Sequence, residues 1–483
     1  MPKHFFTFIV CSFILFSCQT TTTKEKESIN GIWESIGSGW IMEISDSTTY
    51  QLYDITSISC IPRRKGLLKE MLPALSIKND TLSLLKGVIT YKFSKKKTLP
   101  THCKPTVSEL KNTDPLYNFE VFAENIKEHY AFFELNQIDW DSLYISQKSK
   151  LTSQSTELEF YQVIEETLEL LGDNHAFLEA SDSLYEALEA SSTEKEKIED
   201  STEKLSEYGD IQVAGMVANH HLQEDLTRDY RLRFPLIQWG KMNDSIGYIQ
   251  VKTMWLFANL EVPQQRIDAV GYVDAFVETF HKMYDGQYIN EEVSEVAKIM
   301  DMVMTDLSQM QSMVIDIRFN GGGQDAVSFE ILSRFIPEKE LLVATQQLKY
   351  GRKHTATLPI YIKGTKNAYT KPLYVLTSPQ TGSAAEAFSI ATMAMPTVKR
   401  IGSATSGATS TSLEKKLPNG WIVALSNEVY MDTHGNSYEN KGIPVTYELN
   451  YLKDRQAFFR SIVNNLDADK HNILQAIEQL ENE

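Results

Sequence analysis

Cysteine is scarce in this chain, with four residues among 483. Two of them, Cys11 and Cys18, lie in the apolar N-terminal segment, so only Cys60 and Cys103 remain for the rest of the protein. Two thiols alone are too few for a structural zinc site, which usually takes four ligands. In an oxidising compartment they can pair, and because both fall in one predicted domain, a Cys60–Cys103 disulfide and two free thiols remain open alternatives.

An excess of positive charge is also missing. Lysine and arginine number 47 against 64 acidic residues, which gives a formal net charge of -17. A surface that binds phosphates needs a cationic excess, so we expect no nucleic-acid partner. The hydrophobic content of 42% is ordinary for a chain that buries cores. The length predicts about two to four domains, and disorder is not expected.

One apolar run stands apart, at the N-terminus. It follows a charged start and is too short to span a bilayer comfortably, which is typical of a signal peptide at residues 1–17. Leu15-Phe-Ser-Cys18 resembles the lipobox of bacterial lipoproteins, although Phe16 is bulkier than usual. The resemblance implies a lipid on Cys18, a polar tether over 18–29, and an exported protein anchored to a membrane of the cell envelope, in the periplasm or at the cell surface. An ordinary cleaved signal peptide is the alternative.

Four blocks follow the tether. Short β-like runs between Gly, Ser and Asn-Asp breaks predict a small all-β domain at 30–106. Apolar residues at helical spacing predict a helical subdomain at 114–180, and the charged stretch after it predicts a helical insertion or lid at 181–244. Strands alternate with helices over 245–483, which predicts an α/β core with a mainly parallel sheet.

Ser383 lies where a predicted strand meets a predicted helix. Leu373-Tyr-Val-Leu376 favours a strand, a turn rich in Pro and Gly follows, and residues 384–395 have a helical pattern. A helix N-terminus offers unpaired N–H groups and the positive end of a dipole, which can stabilise the oxyanion of acyl transfer. Ser383 is therefore a candidate nucleophile. The alternative is an N-cap serine without chemistry.

Three glycines form a second turn of interest. The apolar strand Met313-Val-Ile-Asp-Ile317 leads into Phe319-Asn-Gly-Gly-Gly323, and a helix is predicted after it. Glycine lets the backbone adopt positive φ and approach a ligand closely, so its N–H groups can point at an oxyanion. A flexible turn and a phosphate cradle are the alternatives, and the cradle lacks both the P-loop lysine and dinucleotide spacing.

Taken together, the two turns resemble a known pair of motifs. Asp316-Ile-Arg-Phe-Asn-Gly-Gly-Gly323 with Thr381-Gly-Ser-Ala-Ala-Glu386 is similar to the signature of the C-terminal processing and tricorn-type serine peptidases. The resemblance implies an α/β fold with a ClpP/crotonase-like spiral core. It also implies an oxyanion hole formed by Gly322, with Gly321 as its neighbour, and by Ala384.

That family divides according to its general base. Processing peptidases use a lysine after the serine helix, but the matching position here is Ala408. The tricorn-like and retinoid-binding-protein-like branch takes a histidine from a Leu-x-Asp-x-His pattern, and Leu171-Gly-Asp-Asn-His175 fits it. The resemblance therefore implies His175 as the base. A structural histidine is the alternative, and we interpret the adjacent His220 and His221 as surface residues.

A histidine base works better with a partner that fixes its tautomer. Tyr438-Glu-Asn-Lys-Gly-Ile443 resembles the family segment that supplies a glutamate before a Gly-Ile turn, which implies Glu439 as the orienting residue. Asp173 is the rival for that role. Glu386 lies one turn after Ser383, and we assign it to stabilising the helix start.

These observations predict a serine endopeptidase of the cell envelope that hydrolyses peptide bonds through an acyl-enzyme intermediate. Its partner is a polypeptide substrate, and it needs no metal and no organic cofactor. The stretch between the predicted base and the core is too short for an intact PDZ domain. A catalytically silent lipoprotein that binds peptides or apolar ligands on the same fold is the alternative, and a crotonase-like acyl-CoA enzyme fits less well.

Overall fold

A computed structural model describes residues 28–103, 112–188, 207–230, 232 and 234–482. The expected signal peptide, the lipidation candidate Cys18 and much of the tether lie outside the described residues, as does the middle of the expected insertion. Within the described ranges, no helix is both long and apolar enough to cross a membrane.

The N-terminal domain is an antiparallel sheet of seven strands in the order β4-β3-β2-β1-β7-β6-β5. Alternation of buried and exposed residues builds it: on one strand Leu82 and Leu84 face a core with Trp33 and Phe93, whereas Ser83 faces outward. The elements are β1 Gly31–Ser35, β2 Trp40–Ile44, β3 Thr49–Ile55, β4 Cys60–Leu67, α1 Leu68–Met71, β5 Leu75–Lys78, β6 Thr81–Lys86 and β7 Ile89–Lys96.

Cys60 and Cys103 form a disulfide, with their Cα atoms 4.8 Å apart. This separation lies within the usual range for a bonded pair. The bond links the first residue of β4, at one edge of the sheet, to the segment that leaves the domain after β7. Of the two alternatives left open by the sequence, the structure has the disulfide.

Three helices follow: α2 Pro115–His129, α3 Trp140–Lys148 and α4 Glu157–Leu171. Each begins at a side chain that accepts a backbone N–H, namely Asp114, Asp139 and Thr156, the last in a capping box with Glu159. The last helix ends at Gly172, whose φ of 62° is easy only for glycine. The chain therefore turns sharply just before the Asp173-Asn-His175 segment.

The rest of the described chain forms three sheets, a helical stretch at 182–188 and eight further helices. The strands are β8 Phe177–Glu179, β9 Glu224–Asp225, β10 Ile237–Lys241, β11 Ile246–Val251, β12 Ser312–Asp316, β13 Glu340–Tyr350, β14 Lys353–His354, β15 Leu358–Lys363, β16 Leu373–Thr377, β17 Val398–Gly402, β18 Ser412–Lys416, β19 Ile422–Ser426, β20 Glu428–Met431 and β21 Tyr447–Glu448. The helices are α5 Asp210–His221, α6 Gln264–Val270, α7 Tyr272–Phe280, α8 Asp285–Leu307, α9 Asp325–Ser333, α10 Ala384–Met393, α11 Arg455–Val463 and α12 Leu466–Glu481.

The central sheet has the order β21-β17-β16-β12-β11-β10-β9 and is parallel from β21 to β11. Its three central parallel strands, β11, β12 and β16, are buried on both faces, as the continuous apolar runs of the sequence predicted. The last two strands, β10 and β9, add antiparallel to one edge. Both come from residues before 245, so this sheet begins inside the stretch that we assigned to the insertion.

A buried ionic cluster joins the sheet to the C-terminal helices. Arg318, fully buried after β12, donates to Asp316 Oδ2 at 2.7 Å and to Asp469 Oδ1 at 2.8 Å. His221 Nε2 lies 3.0 Å from Asp469 Oδ2, and this histidine is also fully buried. Our interpretation of His221 as a surface residue is therefore wrong, because its helix packs against both C-terminal helices. His220 remains partly exposed.

The β domain is fixed to the third sheet, β18-β19-β8, by a buried lysine. Lys415 Nζ donates to the Gly39 carbonyl at 2.8 Å and to Asp54 Oδ1 at 3.3 Å. Burial lowers the pKa of Lys415 to about 8. The same small sheet contains β8, which begins two residues after His175, so the β domain and the predicted base are attached to one structural unit.

Candidate active site

Ser383 occupies the corner between β16 and α10 with φ 52° and ψ −122°. An N-cap serine usually has extended backbone angles, so this conformation is not that of an ordinary cap. A non-glycine residue at such angles costs on the order of 1–3 kcal/mol and persists only when its surroundings fix it. The surroundings here are two acceptors of the Ser383 N–H: the Ala408 carbonyl at 3.1 Å and Glu386 Oε2 at 3.3 Å.

The glycine turn packs directly against this serine. A Cβ atom added to Gly322 would lie 2.6 Å from the Ser383 Cβ and 3.0 Å from the Ala384 nitrogen, and the residue has φ 113°. Only glycine fits both the space and the backbone angle. The two turns that the sequence singled out are therefore in contact.

The predicted oxyanion donors differ in availability. The Gly322 N–H donates to Asn320 Oδ1 at 2.9 Å in this conformation, and its assignment as an oxyanion donor stays a prediction. The N–H groups of Ala384 and Gly321 have no hydrogen-bond partner among the residues that the structure describes. Ala384 is the first residue of α10, where an N–H has no partner within its own helix. It is therefore the clearest donor for an oxyanion next to Ser383.

A loop from Thr405 to Ser410 lies beside the serine, and Glu386 holds it there. The Glu386 side chain is fully buried, and burial raises its pKa, while the hydrogen bonds that it accepts lower it. Our assignment of this residue to the helix start is therefore incomplete. Its carboxylate accepts from Thr405 Oγ1 at 2.6 Å, Ser406 Oγ at 2.9 Å, Gly407 N–H at 2.7 Å and Ala408 N–H at 2.7 Å, besides the Ser383 N–H.

His175 lies in a cluster with two carboxylates. One ring nitrogen of His175 and one carboxylate oxygen from each of Asp173 and Glu439 all lie within 4.8 Å of one another. The His175 Nδ1 atom is buried, and no described residue forms a hydrogen bond with it. The structure thus brings together three predicted residues from segments more than 260 positions apart in the chain.

Glu439 reaches the same loop that touches Ser383. Its Oε2 accepts from Thr409 N–H at 2.8 Å, Thr409 Oγ1 at 2.7 Å and Ser410 N–H at 3.0 Å. Thr409 follows Ala408, whose carbonyl accepts the Ser383 N–H. One short loop therefore contacts the candidate nucleophile on one side and the candidate orienting carboxylate on the other.

The two carboxylates are not equivalent partners for the histidine. Asp173 Oδ1 accepts hydrogen bonds from the backbone N–H of His175 at 2.9 Å and from Ser426 Oγ at 2.7 Å. Its Oδ2 accepts the backbone N–H of Ser426 at 3.0 Å. Glu439 Oε1, in contrast, accepts no hydrogen bond from the described residues. This favours Glu439 over Asp173 as the orienting group. The cluster could also hold a small cation, and we assign none because Ser426 and Thr409 already donate to its carboxylates.

The electrostatics suit a histidine base. Burial lowers the pKa of His175, while the nearby Asp173 raises it. The net lowering keeps the imidazole neutral near pH 7, the form that can accept a proton. Burial also raises the pKa of Glu439 to about 7, against the hydrogen bonds from Thr409 that lower it.

The raised pKa of Glu439 makes the pH dependence of catalysis a test of its role as the orienting carboxylate. We expect kcat/KM for peptide cleavage to rise with pH through about 7, because ionised Glu439 stabilises the imidazolium formed during catalysis. In Glu439→Gln the carboxylate cannot ionise, so the rise should move to the lower pH at which His175 loses its own proton. The maximal rate should fall by roughly 10²–10⁴-fold.

Exposed Glu338→Gln is the matched control and should keep the native profile. The assignment of Glu439 would fail if Glu439→Gln kept the same limb near pH 7 at an unchanged maximal rate.

Several contacts of this site could not be seen in the sequence. Asn320, whose side chain engages the Gly322 N–H, has no distinguishing pattern beyond its place before the glycines. Thr409 and Ser410 look like ordinary loop residues. Glu386 could be located by its spacing from Ser383, but its four loop donors lie 19–22 residues further along the chain.

A strained serine at a strand-to-helix corner, a glycine turn against it and a histidine–carboxylate cluster connected to it through a loop are the kinds of groups that acyl-transfer hydrolases use. Comparison with known families makes this more specific. Residues 245–449 match the model of peptidase family S41, and residues 111–169 match that of the Tricorn protease C1 domain. These two matches confirm the family resemblance drawn from the two turns.

Several solved structures are similar to this chain at low sequence identity. A peptidase candidate from Parabacteroides merdae is 19% identical, with a TM-score of 0.50 over 73% of this chain and 96% of that one. Mature CPAF is 12% identical, with a TM-score of 0.49 over 77% and 99%. The photosystem II D1 C-terminal processing protease is 13% identical, with a TM-score of 0.42 over 73% and 98%. The sheets and helices described above confirm the predicted α/β class, and the match of residues 245–449 to the S41 model supports a peptidase.

Proposed function

We propose that this protein is a serine endopeptidase with Ser383 as nucleophile, His175 as general base and Glu439 as the orienting carboxylate. The observation that carries the proposal is the loop Thr405–Ser410, which accepts the Ser383 N–H at Ala408 and donates to Glu439 from Thr409 and Ser410. A histidine from the helical subdomain and a carboxylate from the far end of the core lie close together, and the loop connects that carboxylate to the serine.

Each step of the proposed reaction is assigned to a side chain or backbone group of this protein. His175 accepts the Ser383 hydroxyl proton as the oxygen attacks the scissile carbonyl, and Glu439 stabilises the imidazolium. The carbonyl oxygen becomes an oxyanion that the Ala384 N–H can stabilise. When the intermediate collapses, the C–N bond breaks, His175 gives its proton to the leaving amine, and Ser383 holds the acyl group. A water molecule then repeats the sequence and releases the second product with free Ser383.

The location and the finer fold remain part of this proposal. We assign the protein to the cell envelope, exported and anchored by a lipid on Cys18, on the strength of the leader pattern alone. We also assign the core to the ClpP/crotonase-like spiral, on the strength of the resemblance and of its mainly parallel sheet. The backbone strain at Ser383 and the histidine–carboxylate cluster favour this proposal over a silent binding lipoprotein, because a binder has no use for either.

An active-site serine probe tests the proposal. We expect a fluorophosphonate to label the full-length protein once, and mass spectrometry of the digest to place the adduct on the peptide that contains Ser383. Labelling should slow below pH 7, since the histidine base must be neutral and Glu439 ionised. An unlabelled protein, or an adduct on another serine, would refute the assignment.

A further inference from the structure

Asn136, in the connection between α2 and α3, contacts the segment that leads to the candidate base. Its side-chain nitrogen Nδ2 donates to the Leu171 carbonyl at 2.7 Å and to the Gly172 carbonyl at 3.4 Å. These two carbonyls belong to the last residue of α4 and to its C-cap, and the Asp173-Asn-His175 segment follows directly. Asn136 therefore holds the point from which the chain turns toward His175.

The fully buried Tyr130 adds to this contact and fixes the orientation of the Asn136 amide. Asn136 Nδ2 donates to the Tyr130 hydroxyl at 2.8 Å, and that hydroxyl donates to the Leu171 carbonyl at 3.2 Å. A backbone carbonyl can only accept a hydrogen bond, so the nitrogen of the Asn136 amide must face Leu171. The amide oxygen therefore points the other way.

That oxygen faces the turn that carries the candidate orienting carboxylate. Asn440, directly after Glu439, donates from Nδ2 to Asn136 Oδ1 at 2.5 Å across 304 positions of sequence. Asn440 has φ 61°, a left-handed conformation in which asparagine is enriched among non-glycine residues. Its backbone N–H donates to the Gly407 carbonyl at 2.7 Å, so the turn is held from one side by the loop Thr405–Ser410 and from the other by Asn136.

The hydrogen bond between the two asparagines joins the helical subdomain to the core where the two candidate catalytic groups come together. His175 follows Gly172 by three residues, and a ring nitrogen of His175 lies within 4.8 Å of a carboxylate oxygen of Glu439. Glu439 Oε1 accepts no hydrogen bond from the described residues. Its distance from the imidazole therefore depends on how the two segments are held relative to each other.

We propose that Asn136 and Asn440 form an amide bridge that sets the separation of the His175 imidazole and the Glu439 carboxylate. The inference rests on the proposed peptidase function and adds two positioning residues to it. Because both amides are neutral, the bridge fixes geometry without adding charge to the cluster. Both residues act through the histidine–carboxylate pair, so their loss should slow the chemical step and leave substrate binding unchanged.

Asn440→Gly tests the amide bridge with little disturbance of the fold. Asn440 is exposed, and glycine adopts φ 61° easily, so the turn and its bond to Gly407 should remain while the side-chain bond is lost. We expect kcat for peptide cleavage to fall by roughly 10–100-fold, with KM near its native value. Asn136→Ala removes the same bond from the other side and should lower kcat by at least as much.

Asn450→Gly is the matched control for the glycine substitution. Asn450 is also exposed and has φ 58°, and its side chain forms no hydrogen bond with any described residue. The variant should keep the native kcat and KM. It therefore accounts for any effect of placing glycine in an exposed left-handed turn.

The Glu439→Gln background distinguishes a positioning role from a purely structural one. If the amide bridge acts through the carboxylate, Asn440→Gly should cause little further loss of kcat once Glu439 is replaced. The double variant Asn136→Ala with Asn440→Gly should likewise lose no more than Asn136→Ala alone. A native kcat in Asn440→Gly, or an equal loss with and without Glu439→Gln, would contradict the inference.

Fluorophosphonate labelling of the native protein separates the two levels of failure. If the native protein is neither labelled at Ser383 nor active on peptides, the peptidase proposal fails and this inference fails with it. If the native protein is labelled and active, and Ser383→Ala is neither, the peptidase proposal holds. The kcat values of the Asn136 and Asn440 variants then decide the positioning inference alone.

Discussion

Replacing Ser383 with alanine is expected to reduce kcat for peptide cleavage by roughly 10⁶-fold, because the acyl-enzyme route needs its oxygen. Fluorophosphonate labelling should disappear as well. The substitution isolates the oxygen cleanly: alanine keeps the Cβ atom, so the backbone strain at φ 52° and the contact with Gly322 are unchanged. Initial rates on a quenched peptide and gel-based labelling provide the measurement.

The matched control is Ser461→Ala in α11, where the hydroxyl donates only to the Phe458 carbonyl of its own helix. It should leave cleavage and labelling at native levels. The thermal midpoint of Ser383→Ala should also match that of the native protein, which excludes unfolding as the cause. A Ser383→Ala protein that still cleaves at a tenth of the native rate or faster would show that another group is the nucleophile.

Removal of the His175 imidazole should have the second largest effect. In His175→Ala we expect kcat to fall by roughly 10⁴–10⁶-fold, since the partly buried, neutral imidazole is the proton acceptor of the proposed site. Added imidazole should restore part of the rate, because the substitution leaves a space beside Glu439 that the free base can enter. Rates measured with and without imidazole, over a range of pH, give the readout.

Recovery of the rate with added imidazole distinguishes a general base from a structural residue, because a free base in solution cannot replace a side chain that only supports the fold. His434→Ala is the matched control, because His434 is exposed and its recorded hydrogen bond is made by its backbone N–H to Asp432. It should be as active as the native protein. If His175→Ala lost activity together with its folded structure, His175→Gln would replace it as the variant, and a near-native rate there would contradict the role of His175 as base.

Much of the local structure could be predicted from the sequence because it depends on local patterns. The buried strand before Ser383 and the helix after it appear at Leu373–Thr377 and Ala384–Met393, close to the predicted bounds. Continuous apolar runs indicated a parallel sheet covered on both faces, and this sheet is present. The motif pair at the two turns was also sufficient to indicate the family.

The remaining features depend on contacts between distant segments, which a single sequence does not show. The two edge strands β9 and β10 lie within a charged stretch that looked like an insertion, because short edge strands carry little periodicity. His221 appeared exposed beside His220, yet its helix packs under the C-terminus. Gly322 was assigned from its position alone, and only the fold shows that Asn320 engages its N–H.

Glu386 also determines which pieces of this chain can be exchanged between relatives. Its carboxylate joins the serine corner to the loop Thr405–Ser410, and that loop continues the connection to Glu439. A chimera with a crossover between these segments would combine an acceptor from one parent with donors from another. The span from about Ser378 to Ile443 should therefore be exchanged as a whole in a chimera. The exposed hairpin tip at Gly351 is a better place for a crossover.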